Sequence, residues 1–430
     1  MTTALRTATD ILATYEPIQL PTGPLLVASD TSPDSDAAFP VAQILAAQTH
    51  ATVQVVSAVR PATMPMYAFD GWPVPIESAT ATRDTRESMI KAQMARLVPS
   101  ATPWPVSVPI GEPIREISDQ ALQLKARMIL VGRGRHGPLT RTLAGESVLR
   151  LLQLGDTPVL AVEPTLTALP KRVVIATDFS AFSLYAAQVA MQCVAPDAQI
   201  YLAHVAPPFV ESDPVLREHA VAYRNQVRDA FAQLRERLTR KGLTLSDVIL
   251  EGNATDRLIE FAASSNADLI VAATHGYGFI RRMILGSVAA QLVRGAPCSV
   301  LCVPGSARTM AAARAHTPSD VRTRALPMDR VDTELNTCTE RNQTRPCTIE
   351  LDERALGAQI LGHALPFVGA TYDFHAQAIS LMFGASALEG QHLTHVISHV
   401  SAVDLTTDHD GTDRVLRLVY PEGQTLILFE

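Results

Sequence analysis

The stretch GPLLVASDTSPDSDAAFPVAQILAAQ (residues 23–48) recurs, element for element, as KRVVIATDFSAFSLYAAQVAMQC (171–193). In each, a continuous apolar run ends in Ser/Thr-Asp, a short polar turn follows, and an alanine-rich amphipathic stretch comes next. A run that is apolar at every position, rather than alternating, marks a parallel strand buried on both faces. Parallel neighbours require a crossover between them, so the repeat predicts a strand–helix unit present twice.

The similarity continues outward. ATVQVVSAV (from Ala51) and AQIYLAHVA (from Ala198) read as second strands, each followed by a long helical segment. WPVSVPI (from Trp104) and LSDVILEG (from Leu245) read as third strands. GEPIREISDQALQLKA and GNATDRLIEFAASSNA are short helices, and RMILVG (from Arg127) and DLIVAA (from Asp268) are fourth strands. A glycine-containing loop, a helix and a last strand close each copy: PVLAV (from Pro158) and SVLCV (from Ser299). Strands alternating with helices give right-handed crossovers and helices on both faces. The expected fold class is therefore α/β, with two tandem five-stranded, Rossmann-like parallel-sheet domains at 21–165 and 170–305. The short connection at 164–171 keeps the copies together, and the apolar last strands need cover as sheet edges.

After Pro304 the pattern stops. Residues 306–345, rich in Arg, Thr, Asp and Ala, read as a flexible, solvated linker. Residues 346–430 hold short alternating or apolar runs separated by turn residues, with HDGTD as a turn and PEG at the tip of a terminal hairpin. A small, mostly β domain without a long helix is expected there. His392, His395 and His399 would share one face of a helix, as a metal set does, but their neighbours favour a strand, where they are ordinary strand histidines.

Composition sets the outer bounds. A chain of 430 residues has length for about three domains. With 47% hydrophobic and 18% charged residues it has material for several cores, which excludes disorder of the whole chain. No run approaches a membrane span and the start lacks a signal-peptide layout, so the expectation is a cytoplasmic chain with no membrane partner. The net charge of −7 argues against a nucleic-acid partner. Five scattered cysteines form no CxxC pair; Cys298 and Cys302 read as buried thiols on one strand face.

The chemistry concentrates in the loop after the second copy's fourth strand, AATHGYGFIRRMILGSVAAQLV (272–293). Ligands of open parallel sheets bind beyond the carboxyl ends of strands where the order reverses, here between strands one and four. Gly276 and Gly278 would let backbone approach an anion. Gly286-Ser287 would open a helix whose N–H groups and dipole favour phosphate, with the Ser287 hydroxyl as cap or donor. Arg281 and Arg282 add charge, and Asp178 at the end of strand one could hold a ribose hydroxyl or a metal ion. The plain alternative is a turn followed by a capped helix.

Both copies resemble universal stress protein (UspA-like) domains, over about two-thirds of the chain. Nucleotide-binding members of that family carry G-x2-G-x9-G-[ST] in this loop; the matching positions are Ala273, Gly276 and Gly286-Ser287. The resemblance implies an adenine nucleotide, ATP with Mg2+ as its companion ion, as ligand. Thr177 and Asp178, with Phe179 and Ser180 beside them, would take base and ribose, and Val205 the adenine side. Thr274, His275, Gly278 and Val288 would complete the loop's contacts. It further implies pairing of the two copies through their last strands, a pseudo-dimer within one chain; pairing of whole chains and a protein partner stay open.

The second copy departs at Ala273, where a methyl replaces hydrogen. The first departs further, and its weaker set is Asp30, Gly132, Gly134, Gly137 and Ser147. Gly134 and Gly137 have the motif's spacing, but Ser147 then stands in place of glycine. Reading from Gly145 instead puts Glu146 where the hydroxyl belongs, and a carboxylate there repels phosphate. Arg133, Arg135, His136 and Arg141 nonetheless make this loop basic. The balance falls toward loss of ATP binding in the first copy.

No GxxxxGK[ST], GxSxG or HExxH occurs, and His275 alone is no catalytic set. The expectation is a nucleotide-binding regulatory or protective module of the stress response, with at most slow ATP hydrolysis. The alternative is a nucleotide-free scaffold with degenerate sites. The last segment resembles a small domain of unknown function, the DUF5335 family, through LGAQILGHALPFVGATYD, the HLTH stretch and GQTLILF; that resemblance carries no activity.

Overall fold

A computed structural model describes residues 20–60, 79–99, 103–133, 137–206, 214–274, 287–305, 322–353, 357–374, 376–384, 392–408 and 410–429. The first copy holds β1 (Leu25–Ala28), α1 (Ala38–Thr49), β2 (Val53–Val56), α2 (Ala79–Leu97), β3 (Val106–Ser107), α3 (Pro113–Gln123), β4 (Met128–Gly132), α4 (Gly137–Leu154) and β5 (Val159–Val162). The second repeats the order with β6 (Arg172–Ala176), α5 (Ala181–Ala190), β7 (Gln199–Ala206), α6 (Pro214–Leu238), β8 (Thr244–Glu251), α7 (Ala254–Ser264), β9 (Leu269–Ala273), α8 (Ser287–Gly295) and β10 (Ser299–Val303).

Within each copy all strand pairs are parallel, and the strand order places β1 beside β4 and β6 beside β9. These are the expected reversal points. The copies meet through β5 and β10, which pair antiparallel with Leu160 opposite Leu301. Two five-stranded sheets thereby become one sheet of ten strands, and each last strand is covered by the other. Successive residues of β6 point to opposite faces, Val173 and Ile175 to one core and Val174 to the other. Both cores run unbroken across the junction. The alanine-rich α5 lies almost wholly buried on the sheet, because small side chains let its backbone approach the strands.

The third unit begins earlier than the sequence suggests. Arg322–Leu326 is a strand (β11) and Val331–Asn342 a helix (α9), both within the segment expected to be a solvated linker. The remaining strands are β12 (Pro346–Glu353), β13 (Gly357–Asp373), β14 (Ala378–Gly384), β15 (His392–Ile397), β16 (Ala402–Thr407), β17 (Asp413–Tyr420) and β18 (Gly423–Phe429). The eight form an antiparallel sheet in the order β11-β16-β17-β18-β12-β13-β14-β15. Two corrections follow. Residues 322–345 belong to the third fold, and that fold carries a helix. The reason is a narrow apolar stripe: Val331, Leu335 and Cys338 are buried at helical spacing while the rest of α9 is polar. Arg341 grips the buried Asp413 of β17 through two hydrogen bonds of 2.9 and 3.1 Å, and Asn342 donates to the same carboxylate. The PEG hairpin is present, with Tyr420 paired to Gly423.

His392 and His395 lie on β15, whereas His399 falls beyond it in a left-handed conformation, so the three do not share a face. Among the described residues no group of His, Cys, Asp or Glu is placed to hold a metal ion, and no helix is long and apolar enough to cross a membrane. Cys298 and Cys302 are buried in the same core, which pushes both thiols up to about 12.

Candidate functional site

At the carboxyl end of β6 the chain turns through Thr177, Asp178, Phe179 and Ser180 before α5. Thr177 Oγ1 accepts from Phe179 N (3.0 Å), Asp178 Oδ1 accepts from Ser180 N (3.0 Å), and Ser180 Oγ caps α5 by accepting from Ser183 N (3.2 Å). Phe179 holds φ +62°, an uncommon conformation for a bulky residue. Its ring does not face the crevice. It is buried against His204 (4.8 Å between ring centres) and Phe231 (4.9 Å, edge-on), leaving only its backbone for a ligand. His204 Nδ1 lies 2.8 Å from the Thr177 carbonyl and Nε2 2.7 Å from the Tyr223 hydroxyl. With Nδ1–H donating, Nε2 accepts from tyrosine, and the ring is neutral. Burial lowers the His204 pKa, against smaller raising effects from the Thr177 hydrogen bond and the Asp178 charge. Burial also raises that of Tyr223. Asp178 is half-buried, and among the described residues no cation pairs with it.

The first copy reproduces the two turn bonds of the corner but not the serine cap, since Ser32 Oγ donates to Asp30 Oδ1 instead. Thr31, in the place of Phe179, has φ +68°; its N–H donates to Ser29 Oγ (3.0 Å), and Ser32 N donates to Asp30 Oδ1 (2.9 Å). Its support differs. The Ser29–Ser35 hydroxyl pair (2.9 Å) matches Thr177–Ser183 (3.2 Å), but in the first copy Gln93 bonds both serines, whereas aromatic rings line the second. Arg86 of α2 covers the corner, donating to the Asp30 carbonyl and to Thr31 Oγ1 (3.1 Å).

Sheet register aligns the two loops. Val27 lies beside Leu130 and Ile175 beside Val271, so Gly132 takes the place of Ala273. Counting onward, Arg135 stands for Gly276, Gly145 for Gly286 and Glu146 for Ser287. The frame through Gly134, Gly137 and Ser147 is therefore out of register, and Ser147 lies well inside α4. Glu146 is likewise within that helix, not at its start, and pairs with Arg294 of α8 at 2.6 Å. Gly132 is not in the left-handed region; a Cβ there would lie 2.0 Å from the Asp34 carbonyl oxygen, so close backbone approach demands the glycine. Ala273 ends β9 in strand conformation without positive φ, so its methyl brings no backbone strain.

Arg133 is not the free cation its loop suggested. It is 1% exposed, donates to the carbonyls of Cys298 (2.9 Å) and Ala296 (3.1 Å), and lies 3.4 Å from Glu163. Thr274, its counterpart, is buried, with its N–H on the Val303 carbonyl (3.1 Å). Val205 is half-buried near the end of β7, and Ser287 and Val288 open the described part of α8. Gly134, Arg135, His136, His275, Gly276, Gly278, Arg281, Arg282 and Gly286 lie outside the described residues. Sequence reading passed over His204, Tyr223, Gln93, Arg86 and Glu163. For His204 a signal existed, a histidine set between apolar residues near the end of a strand; the others act through contacts distant in sequence.

The model of the universal stress protein family matches residues 22–163 and again 170–304. The universal stress protein MJ0531 of Methanocaldococcus jannaschii is 32% identical over 138 residues, covering 31% of this chain and 81% of that protein. A universal stress protein of Thermus aquaticus is 29% identical over 137 residues, covering 31% of this chain and 98% of its own. Among solved structures, a universal stress protein from Archaeoglobus fulgidus covers 66% of this chain and 99% of its own at 17% identity and TM-score 0.46. One described as a universal stress protein in complex with cAMP covers 32% of this chain and 100% of its own at 27% identity and TM-score 0.26. With its family pattern matched twice and two five-stranded parallel sheets joined by their last strands, the chain belongs to the universal stress protein family, as a tandem member.

Proposed function

We propose that the chain is a cytoplasmic, adenine-nucleotide-responsive regulatory or protective module of the stress response, with ATP seated mainly in the second copy. The observation that carries this reading is the position of the Thr177–Ser180 corner. It lies at the β6–β9 reversal point, beside the strand that feeds the loop with intact motif spacing. Asp178 supports a ribose hydroxyl: one carboxylate oxygen is held by Ser180 N, and among the described residues nothing hydrogen-bonds the other. The loop glycines Gly276, Gly278 and Gly286, with Ser287, would take the phosphates and their magnesium, and Val205 would flank adenine. In the first copy Arg86 lies over the corner, Arg133 is committed to the junction and Glu146 to Arg294, which supports one nucleotide per chain. The assignment of the third unit to the DUF5335 family is part of the same proposal and rests on its motifs.

The test is nucleotide release from the heat-denatured protein, followed by calorimetric titration of Mg-ATP into the stripped chain. One nucleotide per chain, lost on Gly276→Val, is the expected result. Two per chain would restore the first copy as a site. None at millimolar ATP would make the chain a nucleotide-free scaffold. Steady phosphate release abolished by Asp178→Ala would instead mark a slow hydrolase.

A further inference from the structure

We propose that β8, the outer strand of the second copy, is a docking edge on which an extended segment of a partner protein adds a further strand to the ten-stranded sheet. β8 ends that sheet and is paired on one side only, by β7. Thr244 N donates to the Ala198 carbonyl and Gly252 N to that of Ala206, so the even-numbered residues of β8 turn their backbone to β7. Leu245, Asp247, Ile249 and Glu251 therefore turn theirs outward, and among the described residues no hydrogen bond takes these N–H and C=O groups. Such a row of donors and acceptors is met by another extended chain, not by a helix, whose own backbone groups are committed internally.

Exposed edges are normally blunted by shortness, proline, lysine or a bulge. The first copy follows that rule. In register, Pro105 and Pro109 stand where β8 has Ser246 and Leu250, and β3 is two residues long. Neither proline can donate to the ladder. β8 instead keeps eight residues, holds no proline or lysine, and pairs with β7 without a register shift. It is longer than β3, β11 and β15, the other strands that end a sheet. Ile249, near its middle, is 38% exposed.

The side chains define the partner. Asp247, Ile249 and Glu251 lie on one face of the strand. It is the face of α6, whose Arg235 pairs with Asp247 and Arg224 with Glu251 (3.1 Å). Both acids remain exposed. Across a strand pair a basic neighbour suits each acid, an acidic one opposes it, and an apolar one suits Ile249. The partner that fits is an extended segment with basic, apolar and basic residues at alternate positions. A second copy of this chain does not offer that pattern at the same edge, because β8 carries no basic residue, and pairing about Asp247 or Ile249 would set acid opposite acid.

The experiment is fluorescence anisotropy of a labelled peptide of pattern Lys-Thr-Val-Thr-Lys, titrated with the full chain. Expected is saturable binding at or below ~100 µM. The same peptide with Glu for both lysines should bind at least ~10-fold more weakly. Ile249→Pro deletes one outward N–H and none of those that bond β7. It should cut binding at least ~10-fold while the circular dichroism and denaturant midpoint stay near those of the parent. Ile249→Lys keeps the backbone donor but sets a charge against the peptide's valine, and should weaken binding to a similar degree. No saturable binding, equal binding of the two peptides, or binding that survives both substitutions would overturn the proposal. So would a concentration-dependent dimer, seen by sedimentation velocity, that Ile249→Pro dissolves, because the edge would then belong to a second copy of the chain. None of these readouts depends on nucleotide, so the outcome is separate from that of the proposed function.

Discussion

Phe179 holds a backbone conformation that costs on the order of 1–3 kcal/mol, and its surroundings repay it through ring burial and the Thr177 hydrogen bond. Thr31 meets the same demand in the first copy with serine hydroxyls and Gln93. Two chemistries thus support one corner, and the corner rather than the side chain is what the repeat preserves. The second copy's solution carries a pH dependence. His204 is neutral in the fold because burial lowers its pKa, while in the unfolded chain it titrates near ~6.5. Below that pH the unfolded state takes up a proton the folded state refuses. This contribution to stability is therefore complete above ~6.5 and is lost as pH falls toward the folded pKa. Urea unfolding between pH 7.5 and 5 should show a smaller loss of stability on acidification for His204→Gln than for the parent; equal slopes would remove His204 from the account. The corner itself was legible, because Ser/Thr-Asp after an apolar run is a local pattern. The rings beneath it were not, since Phe231 and Tyr223 arrive from a separate helix.

At the scale of elements, the strand–helix repeat was readable because a doubly buried strand must be apolar throughout. The elements missed are mostly polar: α9 buries one narrow stripe and β11, among its described side chains, only Leu326, which from composition alone resembles a solvated linker. Close approach between elements was equally hidden. Gly132 ends β4 where the turn at Pro33–Ser35 packs its backbone on the strand. Gly132→Ala forces a contact with Asp34 and should destabilise by about 1–3 kcal/mol. Ala273→Gly in the other copy loses only a methyl and should cost ~1 kcal/mol or less. Denaturant midpoints of the two variants decide it; equal shifts would mean the turn yields freely.

For the whole molecule, the joint between the copies holds a buried ion pair. Arg133 comes from the first copy's loop, Glu163 follows its last strand, and the carbonyls that Arg133 caps belong to the second copy. Breaking a buried pair leaves its partner charged and desolvated, whereas replacing both by apolar groups removes the penalty. Arg133→Met should cost about 3–5 kcal/mol, and adding Glu163→Leu should recover much of it, read by calorimetric unfolding. A double variant no more stable than the single would show that the carbonyl caps, not the charge pair, hold the joint.

What the sequence determined by itself was whatever is local or periodic: two α/β copies, the meeting of their first and fourth strands, the Thr177–Ser180 corner, the glycine spacing of the second loop and a β-rich end. What only the tertiary structure decided was where long side chains go. Arg133 and Glu146 sit in a loop-and-helix segment that reads as an anion site, yet both are directed to the other copy. Their direction depends on carbonyls and a guanidinium more than a hundred residues away, and no local pattern encodes contacts at that separation.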